Sequence, residues 1–257
     1  MNVRELYLAL EKRIPRALSC EWDNDGLMCC PDSSREVGKV LIALDATAEV
    51  VDAAIEGGYD VIVTHHPFVF KGIKSLDDAG GVSAKAISLI RKGISVMSFH
   101  TRLDAADGGV NDTLCALLGI KNVAPIFEEN IPLGRVGELD SSIDVNDFAL
   151  KIKETLGAPF VLLSDAGIPA HRIAVLGGGG KDFVGAASAC GADTFVSGRL
   201  DYHPMTDTPD SPHPINLIEA GHFYTENPVC QSLKAMICEI DGNIACDIFN
   251  SNVIKAI

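Results

Sequence analysis

The sequence predicts an α/β fold built as two α/β lobes with mostly parallel or mixed sheets. Three observations predict it. Short apolar runs of strand length alternate with amphipathic stretches of helix length along nearly the whole chain. The 257 residues are 47% hydrophobic, enough for one large core or two smaller ones. The alternation breaks once, at residues 120–133, where Pro125, Pro132 and the acid pair Glu128-Glu129 mark a domain crossing. The first lobe is therefore expected over 1–125 and the second over 126–221, with about 222–257 returning to complete the first.

The elements follow in order. Residues 3–18 place Leu6, Leu10, Ile14 and Leu18 near helical spacing and read as an amphipathic helix. Residues 39–45 (KVLIALD) form a near-continuous apolar run, as in a strand buried on both faces. Thr47 then caps a helix that Gly57-Gly58 ends, and 60–64 (DVIVT) is the next strand. The unit repeats as a helix over 83–92, a strand over 94–99 and a helix near 110–118. Past the crossing, strands are expected over 134–139, 160–163, 172–176, 193–197, 215–219 and 245–249. Helices are expected over 145–156, 183–190 and 227–239. The stretch 204–214 (PMTDTPDSPHP) reads as a polar loop.

Composition excludes several classes of function. Thirty-five acidic against 21 basic side chains give a net charge of −14. A field of that sign repels phosphodiester backbones, so nucleic acid is an unexpected partner, while a small anion remains compatible with a local cation site. No run of 18 apolar residues exists to span a membrane. The first 20 residues interleave Glu5, Glu11, Lys12 and Arg13 with apolar positions, which is unlike a secretory signal, so a cytoplasmic location is expected. The eight cysteines contain no CxxC pair and lie mostly in apolar contexts, where a free thiol acts as a small hydrophobe.

Seven histidines are unevenly placed. His65 and His66 end the 60–64 strand, and Pro67 stops it. Within a strand, neighbouring side chains face opposite ways, so the pair can share a site only where the strand has ended. Carboxyl ends of strands are where α/β sheets place ligands. His100, Asp104 and Asp107 follow the 94–99 strand in the same way, with Asn111 and Asp112 read as cap or turn residues. His222 and Glu226 follow the 215–219 strand at i, i+4, which puts both on one helical face and suits one metal or a carboxylate shared by two. Histidines mixed with carboxylates form the donor set of a catalytic Zn, Mn, Fe or Co site. The run Gly177–Gly180 fits neither a P-loop nor GxGxxG, which leaves an anion nest or a tight turn.

Six segments occur in a familiar order: WDNDGL (22–27), IVTHHPFVFKGIK (62–74), HTRLDAADGGVNDTL (100–114), LGGGGKDF (176–183), VSGRLDYH (196–203) and EAGHFYTE (219–226). They resemble the Nif-three-like family, the dinuclear-metal-centre hexameric proteins often labelled GTP cyclohydrolase I type 2 homologues, in its short form without an inserted domain. The resemblance spans essentially the whole chain. It implies a metal site at the junction of the lobes at strand carboxyl ends, two divalent ions per chain (Zn, Mn, Fe, Co or Mg) and a homohexamer. It assigns His65 and His222 to one ion, His66 and Asp104 to the other, and Glu226 to both. His100 is expected to orient a ligand or relay a proton, and His203 is either a substrate-side acid or base or simply a loop residue. Trp22, Asp23 and Asn24 match an early motif with no chemical role attached. Two departures stand out: Arg199 replaces a usually acidic residue, and the 204–214 loop replaces a short helix. Lys71, Lys74, Arg102, Lys181 and Arg199 are the cations available to an anionic substrate. The expected function is a metal-dependent hydrolase acting on a guanine nucleotide or a phosphoester. The alternative is a metal-binding or adaptor protein without catalysis.

Overall fold

A computed structural model describes residues 1–257, which divide into two compact units. The first comprises Met1–Leu103 and Val229–Lys255. The second comprises Asp104–Pro228 with the final Ala256–Ile257.

The first unit opens on α1 (Val3–Arg13). Asn2 and Glu5 exchange side-chain to backbone hydrogen bonds at 2.9 Å each, a capping box that satisfies two N–H groups at the helix start. The helix stops short of Leu18 because Pro15 drives Ile14 out of helical geometry, to φ −124 and ψ 73. Next come β1 (Gly26–Cys29), β2 (Lys39–Ala43), α2 (Ala48–Glu56), β3 (Val61–Thr64), α3 (Gly81–Lys92) and β4 (Ser95–Ser98). The Thr47 hydroxyl accepts from the Val50 amide at 3.2 Å and so caps α2. Strands β2, β3 and β4 are parallel, with Ala43 beside Thr64 and Thr64 beside Ser98. Their inner positions Leu41, Ile62 and Val96 pack with Val50 and Ala54 of α2 and Leu89 of α3.

Helix α4 (Thr101–Ala105) carries the chain into the second unit. There follow α5 (Val110–Leu118), β5 (Lys121–Glu128), β6 (Ile131–Ile143), α6 (Val145–Leu156), β7 (Leu162–Ser164), β8 (Ala170–Gly179), α7 (Val184–Ala189), β9 (Thr194–Arg199), α8 (Tyr202–Asp207), β10 (Asn216–Glu219) and α9 (His222–Glu226). The six-stranded sheet has the order β5-β6-β8-β9-β10-β7, with β8, β9 and β10 parallel and the others antiparallel. Phe148 and Ile152 of α6 and Leu114 and Leu118 of α5 pack against Ile173, Val175, Val196 and Ile218. The chain then returns to the first unit with α10 (Val229–Ile240) and β11 (Ala245–Ile248), and β11 pairs in parallel with β2. The first sheet is thus β1-β4-β3-β2-β11. The fold is α/β in two parts, each with a mixed sheet.

The structure corrects three sequence expectations. Residues 120–133 are not a crossing: they form the β5–β6 hairpin, with Glu128 opposite Ile131 across a two-residue turn. Pro125 is tolerated there because β5 is an edge strand, where a missing ladder donor costs little. The units meet in sequence at Leu103/Asp104 and at Pro228/Val229 instead. The 204–214 stretch is not all loop, since α8 covers Tyr202–Asp207. Pro204 falls in its first turn, where no helical N–H partner is lost.

Candidate metal centre

In the first unit the donors gather at the carboxyl ends of β3 and β4. The register that puts Thr64 beside Ser98 continues one step, with the Phe99 amide donating to the Thr64 carbonyl at 2.9 Å. The strand ends at Thr64, and the turn after it is held by hydrogen bonds. The Thr64 hydroxyl donates to the His66 carbonyl at 2.8 Å, the His66 amide donates to the Leu44 carbonyl at 3.0 Å, and the Ser98 hydroxyl accepts from the Phe68 amide at 3.1 Å. Once the pleat is broken, the two histidine rings turn the same way, with centroids 4.9 Å apart. The His100 ring lies 5.3 Å from that of His65 and 5.6 Å from that of His66. One ligand atom from each of the three lies within 4.8 Å of the others.

Each imidazole has its Nδ1 engaged by an oxygen. That of His65 meets the Phe99 carbonyl at 3.0 Å, that of His66 meets Asp45 Oδ1 at 2.8 Å, and that of His100 meets Asp23 Oδ1 at 2.9 Å. A carbonyl or an ionised carboxylate only accepts, so Nδ1 carries the proton in each case. The lone pair of the neutral ring is then on Nε2, the tautomer that metal-ligating histidines adopt when a neighbouring oxygen orients them. His65 is fully buried, and the other two are partly exposed.

Asp23 does more than hold His100. Its second oxygen accepts from the Thr101 amide at 3.0 Å and the Thr101 hydroxyl at 2.7 Å. Burial pushes this carboxyl up, but the hydrogen bonds from His100 and Thr101 outweigh it and hold the group down at about 2. Neighbouring Asp25 accepts from the His100 amide at 3.0 Å and from Arg102 Nε at 3.1 Å, and pairs with Arg16. Arg102 is fully buried, also donates to the Ile14 carbonyl at 3.2 Å and lies over the Phe99 ring. It is a structural cation and not one offered to a substrate.

In the second unit the donors are placed by glycines. His222 and Glu226 stand one turn apart on α9, with His222 Nε2 3.0 Å from Glu226 Oε2. Glu226 is buried. The run at 177–180 explains how. Strand β8 continues through Gly179, and α9 packs on its glycines. A Cβ at Gly177 would lie 3.3 Å from Glu226 Cγ and 2.6 Å from Val110 Cγ1, and one at Gly178 would run into Glu226 Oε1. On β9, a Cβ at Gly198 would lie 2.6 Å from both the Gly178 carbonyl and Thr225 Oγ1. The missing side chains are the seat of the carboxylate.

The anion-nest reading of this run does not hold. The Gly177 amide donates to Asn111 Oδ1 at 2.8 Å, the Gly178 amide to Thr225 Oγ1 at 3.1 Å and the Gly180 amide to the Arg199 carbonyl at 2.9 Å. Asn111 is likewise no mere cap. It is fully buried, and its Nδ2 donates to the carbonyls of Asp104 (3.1 Å) and Leu133 (2.6 Å). Asp104 is buried on α4. His203 is exposed on α8, its ring edge-to-face with Tyr202. Lys181 and Arg199 both approach Asp201, at 3.7 and 3.0 Å.

Two carboxylates have roles that the sequence does not assign: Asp45, which it does not single out, and Asp23, which it places in a motif without a chemical role. Asp45 was open to the strand-end argument, because it follows β2 as His66 follows β3. Asp23 follows no strand, and only the fold brings it to His100.

A model of the family Duf34/NIF3 (NGG1p interacting factor 3) matches residues 1–256. A Clostridium perfringens protein named GTP cyclohydrolase 1 type 2 homolog is 34% identical over 251 residues, covering 95% of this chain and 94% of the relative. A hypothetical protein from Staphylococcus aureus superposes with a TM-score of 0.88 at 29% identity, covering 100% of this chain and 99% of the other. Reduced HcgD from Methanocaldococcus jannaschii superposes at 0.83 with 26% identity, over 96% and 97% of the two chains. By sequence and by fold along its whole length, the chain belongs to the Duf34/NIF3 family.

Proposed function

We propose that the protein is a dinuclear metal-dependent hydrolase acting on a guanine nucleotide, as a GTP cyclohydrolase does, or on a phosphoester. One observation carries the reading: three clustered imidazoles each have Nδ1 fixed by an oxygen, so Nε2 carries the lone pair, for a metal ion at His65 and His66 and for a proton at His100. The glycine seat of Glu226 supports it, since a buried carboxylate beside His222 fits a cation better than solvent. Relatives named GTP cyclohydrolase 1 type 2 homolog support the substrate class.

In this reading His65 and His222 hold one ion, His66 and Asp104 the other, and Glu226 serves both. Zn, Mn, Fe, Co and Mg all suit parts of this mixed set. Divalent ions held by these residues would lower the pKa of a water and offer positive charge to a developing oxyanion. The chain's own groups do the rest. Asp45 and the Phe99 carbonyl keep the His66 and His65 rings in position. Asp23 holds the proton on His100 Nδ1, which leaves Nε2 to accept or return a proton at the substrate. His203 is a second group for that role. The assembly proposed is a homohexamer, which sizing chromatography tests.

Elemental analysis of protein purified without chelator should give two divalent ions per chain. Glu226→Ala should lose them with an unchanged circular-dichroism spectrum, and with them any turnover of guanine nucleotides or phosphoesters. Full turnover by metal-free Glu226→Ala protein would falsify the reading. Two ions without turnover of any substrate would instead mark a metal-binding or adaptor protein.

A further inference from the structure

Trp22 is the only tryptophan of the chain, and it is 63% exposed. Phe70, 47% exposed, lies beside it. Phe127, Phe160 and Tyr202 are exposed as well, so exposure alone means little; what marks this pair is its contact with an imidazole of the cluster. These two form a closed triangle with His100. Ring centroids are 6.3 Å apart for Trp22–Phe70 and 6.2 Å for each contact with His100, and the three interplanar angles are 77°, 75° and 85°. Each ring therefore meets the other two edge to face.

The exposed pair is also fixed in place. The residue after Trp22, Asp23, binds His100 and Thr101, and Asn24 Nδ2 donates to the Val69 carbonyl at 2.5 Å, next to Phe70. Hydrogen bonds on both sides thus hold the two aromatic residues beside a member of the imidazole cluster. The segment 67–74 (PFVFKGIK) carries Lys71 and Lys74 and no acid, in a chain of net charge −14. Both lysines are exposed.

We propose that Trp22 and Phe70 form an aromatic corner for the planar heteroaromatic ring of an anionic ligand, which stacks on the Trp22 face and meets Phe70 edge-on, the ligand being a nucleotide-like molecule whose charged part meets Lys71 and Lys74. Aromatic faces bind such rings whatever their edge pattern, and a rigid corner loses little entropy on binding. The proposal deepens the hydrolase reading and rests on it for the use made of the ring, while the binding itself is measured separately.

Because Trp22 is the sole tryptophan, its emission reports the site directly. Guanosine 5′-monophosphate is titrated into the full-length protein, as purified and after chelation, with ribose 5-phosphate and inorganic phosphate as ringless controls. Saturable quenching by the nucleotide and none by the controls is expected. By calorimetry, Trp22→Leu and Phe70→Leu should each weaken nucleotide binding about tenfold, leave ribose 5-phosphate affinity unchanged and keep the metal content. Trp22→Tyr should retain most of the affinity. Absence of quenching, or unchanged nucleotide affinity in both leucine variants, overturns the proposal. A fall in assembly mass in Trp22→Leu with nucleotide affinity intact also overturns it, since the face would then be a contact between copies of this chain. Quenching that persists where no turnover is found sustains the corner and sinks the hydrolase reading alone.

Discussion

The two units place their candidate donors by opposite means. In the first, oxygens added around the rings do the positioning: Phe99 carbonyl, Asp45 and Asp23 each hold an imidazole through Nδ1. In the second, side chains are left out. Gly177, Gly178 and Gly198 make the space that α9 and the Glu226 carboxylate fill. A ring needs an orientation, and a hydrogen bond supplies one. A carboxylate entering a packed sheet edge needs volume, and only glycine yields it. The difference teaches that substitutions should fail differently in the two places, by steric conflict in one and by loss of orientation in the other.

The largest effect should come from Gly198→Ala. Its new methyl would meet backbone on two sides, the Gly178 carbonyl at 2.6 Å and His222 Cα at 2.8 Å, and backbone does not yield cheaply. A loss of about 2–4 kcal/mol is expected in urea unfolding. A loss below about 0.5 kcal/mol would show that α9 is not seated on these glycines. Gly178→Ala should cost less, about 1–2 kcal/mol, because its positive φ of 67° penalises any Cβ while the opposing atom is the tip of Glu226. The carboxylate should shift, so metal content should fall further than stability does.

Orientation is tested by Asp45→Ala. Metal affinity is expected to drop about 10- to 100-fold with little change in melting temperature, since Asp45 is partly exposed and its role is to hold a ring. An unchanged affinity would mean the Asp45 contact is incidental. Acid supplies a milder version of the same test at Asp23. Its folded carboxyl is depressed to about 2 against an ordinary 3.8, so the stability it contributes is complete above about pH 4 and lost as pH falls toward 2. Asp23→Asn should be less stable near neutrality and show a flatter decline between pH 4 and pH 2. Two parallel curves would remove Asp23 from the acid response.

The legible parts of the site were those with local causes. His65 and His66 stand out because a strand ends under them, and His222 with Glu226 because one helical turn separates them. What stayed hidden was set by distant packing. Asp23 reaches His100 across 77 positions of sequence, and Asn111 reaches Gly177 across 66. The glycine run was conspicuous, but its purpose lay in α9, which nothing near residue 178 in sequence announces. Strand β1 gives no signal in sequence, since GLMC, with a bulge in its pairing, carries no alternation. The β5–β6 hairpin resembles a crossing in sequence because proline and paired acids mark both linkers and sheet edges.

Strand β11 joins β2 some 200 positions after it in sequence. During synthesis Asp104–Pro228 emerges entire, able to collapse on contacts it already owns, while the sheet carrying His65 and His66 still lacks its fifth strand. The sheet that carries His65 and His66 is therefore closed along its β2 edge only by a strand made after the whole intervening unit.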